Sequence, residues 1–245
     1  MSIATEIQRL RTAKEDIKTA IEEKGVEVGN GLIDTYAEKI KEITGGGGDV
    51  IDLARYAKTF QFGTDVGLPE NLVLNLDTAT YLANFISNTN FLTVKHLTIN
   101  CPNQITSMNR FIYGQTNVYV VGIEHLTLNV DTSKNTSYRQ AFQVLPNLKT
   151  IDGTPLDFSS ATEVTQLFSK CDVLEEVRVV KESIKINISV SLPSASDETI
   201  QSFVDGLADM TGQTAPTLTV HTNIGNKLTD EQKATITAKN WTLVY

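Results

Sequence analysis

The chain has 245 residues, 40% of them hydrophobic, and a formal net charge of −8. That length allows one or two domains with cores of ordinary size. The acidic balance, with no run of Lys and Arg, argues against a nucleic-acid binder, and no apolar stretch reaches the ~20 residues that cross a bilayer, so no membrane insertion is expected.

The opening MSIATEIQRL is polar and amphipathic, unlike a signal peptide. Residues 2–24 read as one helix, capped by Ser2 and ended by Gly25. Ile3, Ile7, Leu10, Ile17 and Ile21 follow a heptad seam in which Lys14 occupies one position. An apolar stripe of this kind packs on a second helix, on a partner or on copies of itself. Residues 25–31 are turn-like, and 32–43 read as a second helix with Ile33, Tyr36, Ala37, Ile40 and Ile43 on one face. The N-terminal module, 1–44, is therefore either a coiled coil or a helical hairpin. Ile at both kinds of seam position favours more than two strands, and a homotrimer is the expectation. Gly45–Gly48 form a joint, so 45–49 is a linker and 50–245 a second domain.

Residues 52–60 suit a short helix or a strand equally, and GLPE at 67–70 is a turn. From there the chain repeats itself. Phe85, Phe111, Phe142 and Phe168 lie 26, 31 and 26 residues apart. Each precedes a short alternating stretch: VKHLTIN at 94–100, IEHLTLN at 123–129, LKTID at 148–152 and LEEVRVV at 174–180. NLVLNL at 71–76 fits the same scheme. Repeats of this length with one strand each predict a solenoid, with one face of every strand buried. The 142–152 repeat departs from the pattern at Asp152-Gly153, where a kink or bulge is expected. The end should be elaborate, because the last coil must be covered. The expected elements are a long strand at 184–192, a helix at 197–210, a strand at 217–221, a helix opened by the Thr229–Gln232 capping box, and an edge strand WTLVY whose Trp241 covers the final coil. The predicted class is α+β: a helical module, a glycine linker and a leucine-rich-repeat-like β/α solenoid.

No nucleotide-binding loop, metalloprotease motif or nucleophile elbow is present, so no enzyme activity, catalytic residue or cofactor is expected. Glu175 and Glu176 point to opposite sides of a strand and read as solvated charges. Cys101 and Cys171 read as buried small residues several coils apart. His96 and His125 hold the same place in neighbouring strands and should stack about 5 Å apart, but zinc needs a third protein ligand and no metal site is expected. The solvent side of the strands forms a polar ladder: His96, Thr98 and Asn100, then His125, Thr127 and Asn129. Glu176 and Arg178 continue it through Thr150 and Asp152, and Thr217, Thr219 and His221 are candidates to extend it. Flat polar faces of solenoids commonly bind ligands, although Thr also suits exposed strand positions for its propensity alone.

HLTIN, HLTLN, the spaced Phe residues and the stretch LADMTGQTAPTLTVHTNIGNKLTDEQKATITAKNWTLVY resemble BspA-like leucine-rich-repeat proteins encoded by phages and prophages of gut bacteria. ATEIQRLRTAKEDIKTAIEEKGVEV is similar to an N-terminal module of phage structural proteins. The resemblance implies a virion component made in the host cytoplasm: a tail-fibre, baseplate or head-fibre protein. Its N-terminal module would bind other virion proteins, and its repeats would touch a host surface protein or glycan. The alternative is a decoration or spacer that binds only other virion proteins.

Overall fold

The computed structural model describes Thr12 and residues 14–19, 21–22, 49–52, 69–76, 79–87, 93–114 and 122–245. The chain divides into two compact units, Met1–Gly48 and Asp49–Tyr245. In the first, Thr12 and residues 14–19 and 21–22 are helical. Lys18 and Glu22 form an i,i+4 pair at 3.9 Å. Of the seam residues, Ile21 is buried, Lys14 half-buried and Ile17 41% exposed. Ile3, Ile7 and Leu10, the second helix at 32–43 and Gly45–Gly48 lie outside the described residues.

The second unit is mixed α/β and is built on parallel sheets. Strands β1 (Asp49–Asp52), β2 (Asn71–Asn75), β4 (His96–Gln104), β6 (His125–Asp131), β8 (Thr150–Leu156) and β9 (Glu176–Val179) form a six-stranded sheet in that order. β1 begins one residue inside the stretch read as linker. Between the long strands, β3 (Ile86–Ser87), β5 (Ile112–Tyr113) and β7 (Phe142–Gln143) form a second parallel sheet. Along the chain β2, β4, β6 and β8 of the first sheet thus alternate with β3, β5 and β7 of the second. The strands of the first sheet alternate in burial because side chains alternate across a strand. Leu72 and Leu74, Leu97 and Ile99, Leu126 and Leu128, and Val177 and Val179 all point into the core.

The second sheet carries the phenylalanines. Phe85 stacks on Phe111 at 5.8 Å with 23° between the rings, and Phe142 stacks on Phe168 at 5.8 Å and 9°. Phe111 and Phe142 meet edge to face at 6.0 Å and 81°. The register differs there. Phe142 aligns with Ile112, not with Phe111, so the aromatic position moves by one residue between these repeats, and the offset rings meet edge to face, one of the two arrangements that aromatic pairs favour. Just before each of these segments stands a non-glycine residue with positive φ: Asn84 (55°), Arg110 (53°), Gln140 (55°) and Gln166 (56°).

Asp152-Gly153 makes a bulge, and the strand continues to Leu156 across a register shift. Gly153 has φ +88°, and a Cβ there would lie 2.4 Å from the Leu128 carbonyl oxygen, so both conformation and space require glycine.

The C-terminal end contains β10 (Ile188–Val190), α1 (Asp197–Gly206), β11 (Thr217–Val220), α2 (Thr222–Lys227), α3 (Asp230–Ala238) and β12 (Thr242–Val244), with a third parallel sheet in the order β10-β11-β12. The long strand expected at 184–192 is only the three residues of β10. Ile184 instead bridges to Leu207, and its N–H and carbonyl bond Gly206 and Ala208 at 2.8 and 2.9 Å. That bridge also ends α1 at Gly206, short of the expected Met210. Lys239 Nζ caps the helix, donating to the Leu207 carbonyl at 2.6 Å. α3 opens with the Thr229–Gln232 capping box. β12 is an edge strand, and the buried Trp241 donates to the Ala208 carbonyl at 2.9 Å.

The phenylalanine stack holds the repeats together from behind. Phe142→Ala should cost about 3–5 kcal/mol, as full truncation of a buried aromatic does. Urea unfolding of the variant against the parent chain measures it, and the midpoint should fall without a change in slope.

Candidate binding face

The outward residues of β2, β4, β6, β8 and β9 stand in register. His96 pairs with His125, Thr98 with Thr127 and Asn100 with Asn129. Asn71, Val73 and Asn75 precede them on β2, and Thr150 and Asp152 follow opposite His125 and Thr127. Glu176 aligns with Thr150. Parallel in-register strands lie about 4.8 Å apart, so like residues stack on like. The His96 and His125 rings are 4.8 Å apart and 5° from parallel. His125 Nδ1 lies 3.0 Å from Thr150 Oγ1.

Three asparagines make a chain along one line of the face. Asn100 Nδ2 donates to Asn75 Oδ1 at 2.8 Å, and Asn129 Nδ2 donates to Asn100 Oδ1 at 2.8 Å. Each of these bonds uses one of the two amide donors of its carboxamide. The chain stops at the bulge, where Gly153 leaves room for Asn129 Oδ1. Arg178 reaches back to the Gly153 carbonyl at 3.4 Å.

A second line runs just before the strands. Glu124 bonds Lys149 Nζ at 2.8 Å and Lys95 Nζ at 3.1 Å. The Lys149 bond, then the Lys95 bond, holds the Glu124 carboxyl at about 2, well below the usual carboxylate range, and Lys149 is raised in turn by Glu124. Farther along β6, the Ser133 backbone N–H and then its hydroxyl lower Asp131.

His96, Thr98, Asn100, His125, Thr127, Asn129, Glu176 and Arg178 thus share one sheet, and each is exposed or half-buried. Thr217, Thr219 and His221 do not extend it. β11 belongs to the third sheet, and His221 is the N-cap of α2, its Nδ1 accepting from Asn223 N at 3.1 Å. Asn75 and the Lys95–Glu124–Lys149 line escaped the sequence reading. Their signal was present: NLVLN aligns with HLTIN, and the residues before the three strands alternate in charge.

The two histidines stack ring on ring, so their in-plane nitrogen lone pairs do not converge. Among the described residues no group of three or more His, Cys, Asp or Glu could hold a metal, and no helix is long and apolar enough to cross a membrane. Cys101 and Cys171 are buried thiols. The Cys171 thiol donates to the Phe142 carbonyl at 2.9 Å, and burial pushes it up to about 12, which keeps it protonated and unreactive.

Comparison with protein families, with curated proteins and with solved structures gave no match.

Because Glu124 is depressed in the folded chain, its contribution is present above the unfolded carboxylate range and is lost as pH falls toward about 2. Glu124→Gln should therefore lower the urea midpoint at neutral pH, and the difference from the parent should shrink through the carboxylate range and vanish at the acid end. Urea titrations across that range check the sign.

Proposed function

We propose that this chain is a non-enzymatic binding protein of a phage virion, in a tail fibre, baseplate or head fibre, in which a leucine-rich-repeat-like solenoid presents the His–Thr–Asn face to a host surface protein or glycan. One observation carries the reading: a flat row of in-register polar side chains on consecutive parallel strands. It is backed by the likeness of HLTIN, HLTLN and the C-terminal stretch to phage-encoded BspA-like repeats. The face offers repeated amide and hydroxyl groups at the strand spacing, which suits a repeating ligand better than a compact one. Attachment to the particle falls to the N-terminal module through Ile3, Ile7, Leu10, Lys14, Ile17 and Ile21, as a homotrimer. The exposure of Ile17 supports a partner there.

The spacer reading draws on a different observation. Asn75, Asn100 and Asn129 bond one another, and His125 meets Thr150. Part of the polar capacity of the face is thus spent inside it, as a structural ladder requires.

Replacing Thr98, Asn100, Thr127 and Asn129 together with Ala separates the two. The loss of two amide–amide bonds should cost about 1–3 kcal/mol, leaving the fold intact, while adsorption of the purified protein to host cells is abolished. Unchanged adsorption by the folded variant rejects this face. For the anchor, Ile17→Asp should convert a trimer to monomers by light scattering with the second unit still folded. A parent chain that is already monomeric at micromolar concentration contradicts self-driven trimerisation.

A further inference from the structure

We infer that the open edge of the second sheet is a docking groove for a segment of a partner polypeptide that adds a further rung. The two sheets end differently. On the six-stranded sheet the last strand is closed by α1: Val177 N and Val179 N donate to Thr199 Oγ1 and Ser202 Oγ at 3.1 and 2.9 Å. Side-chain hydroxyls there replace the carbonyls of a further strand. Among the described residues the second sheet has no such cover.

Its rungs are joined by a one-way row of donors. Leu82, Asn84 and Ile86 donate to Ser107, Asn109 and Phe111. Met108, Arg110 and Ile112 donate to Ser137, Arg139 and Ala141, and Tyr138, Gln140 and Phe142 to Glu163, Thr165 and Leu167, all at 2.8–3.0 Å. Residues 163–169 are thus a fourth rung beyond β7, and the side chains agree: Gln140 Nε2 donates to Gln166 Oε1 at 2.8 Å and Phe142 stacks on Phe168. The corresponding donors of this rung are Val164, Gln166 and Phe168. Their N–H groups have no acceptor among the described residues. They face the place where a fifth rung would lie, but the chain has left to bridge Ile184 with Leu207.

Across the gap stands β10, which pairs with β11 alone. The bond from His221 N to the Val190 carbonyl turns residue 190 toward β11, so by alternation the Ser189 main chain faces the gap. The groove between the two edges has a volume of about 670 Å³, within the roughly 300–1,000 Å³ of ligand clefts. Val164, Leu167 and Ile186 give it an apolar floor, and Thr165, Ser189 and Thr219 line it with hydroxyls. Glu163 contributes the one carboxylate of the lining and is already engaged by Arg139 at 3.6 Å. Three donors two residues apart call for three carbonyls two residues apart, which a chain folded like the preceding rungs, with a left-handed residue at the place of Gln166, supplies through main-chain bonds. The occupant is accordingly a segment of no net charge, laid parallel to the rungs.

The probe is a synthetic peptide ATEVTQLFSK, a copy of residues 161–170 that carries its carbonyls in the spacing the preceding rung accepts. Amide hydrogen exchange of the full chain is followed by NMR with the peptide at about 1 mM, enough to half-fill a site of about millimolar Kd. Exchange at Val164, Gln166 and Phe168 should slow by about 10-fold or more, with no change on the His–Thr–Asn face. Ser189→Trp, at an exposed position of β10, should fill the groove and remove the effect. Unchanged exchange at the three amides overturns the inference, as does protection in the free chain equal to that of Tyr138, Gln140 and Phe142. Protection that rises with protein concentration alone assigns the edge to a second copy and also overturns it. Should the Trp variant fail to fold, exchange in the parent chain still decides.

Discussion

Everything in the second unit depends on one constraint: a buried backbone must bond its polar groups, and here each repeat bonds them to the next repeat in strict parallel register. The register runs from Asn71↔His96 through His96↔His125 to His125↔Thr150, with a shift between β4 and β6 beyond Cys101 and another at the Gly153 bulge. A slip of one residue would turn every inward Leu and Ile to solvent. The core therefore enforces the register, and the register in turn places like side chains over like on the solvent side. The stacked histidines and the asparagine chain are consequences of that, not separate inventions.

The same constraint accounts for the exceptions. Gly153 is where the β8 main chain passes too close to Leu128 for any side chain. The five-residue longer spacing between Phe111 and Phe142 shifts the aromatic by one place and turns the ring pair edge-on. The row of positive-φ residues, Asn84, Arg110, Gln140 and Gln166, is held by the rung-to-rung main-chain bonds and by the side-chain bonds from Arg110 to Gln140 and from Gln140 to Gln166. Where the rungs stop, the strained residue Gln166 and its neighbours are left at an edge. Among the described residues, the last strand of the first sheet is finished with hydroxyls from α1 and the last rung of the second sheet is not.

The long strands were legible because Leu97 and Ile99, or Leu126 and Leu128, alternate with polar residues over a full strand, and because HLTIN and HLTLN are almost one peptide. The His96–His125 stack followed from that alone. The second sheet was not legible beyond its phenylalanines. Its strands are two residues long, too short for any period, and its left-handed positions hold Asn, Arg and Gln where glycine would have marked a turn. The stretch 184–192 misled for a physical reason: Ile184, Ile188, Val190 and Leu192 are all buried, but Ile184 is paired with Leu207 and Ile188 with Leu218. An alternating pattern records burial, not a shared ladder. The helix α2 was missed because His221, its cap, is also a plausible last residue of a strand. On the candidate face, the signal for Asn75 and Glu124 lay in the alignment of NLVLN with HLTIN and in the alternating charges before the strands, and the register shows that these positions stand side by side.

The register itself is open to a direct chemical measurement. Thr98→Cys with Thr127→Cys places two thiols on opposed residues of neighbouring strands, inside the about 4.4–6.8 Å Cα separation that a disulfide needs. Mild oxidation followed by mass spectrometry should show an intramolecular cross-link in that pair, and none in the pair Thr98→Cys with Leu128→Cys, which points to the other side of the sheet. A cross-link in the second pair, or none in the first with the protein folded, would contradict the in-register parallel stack on which the candidate face and the open edge both rest.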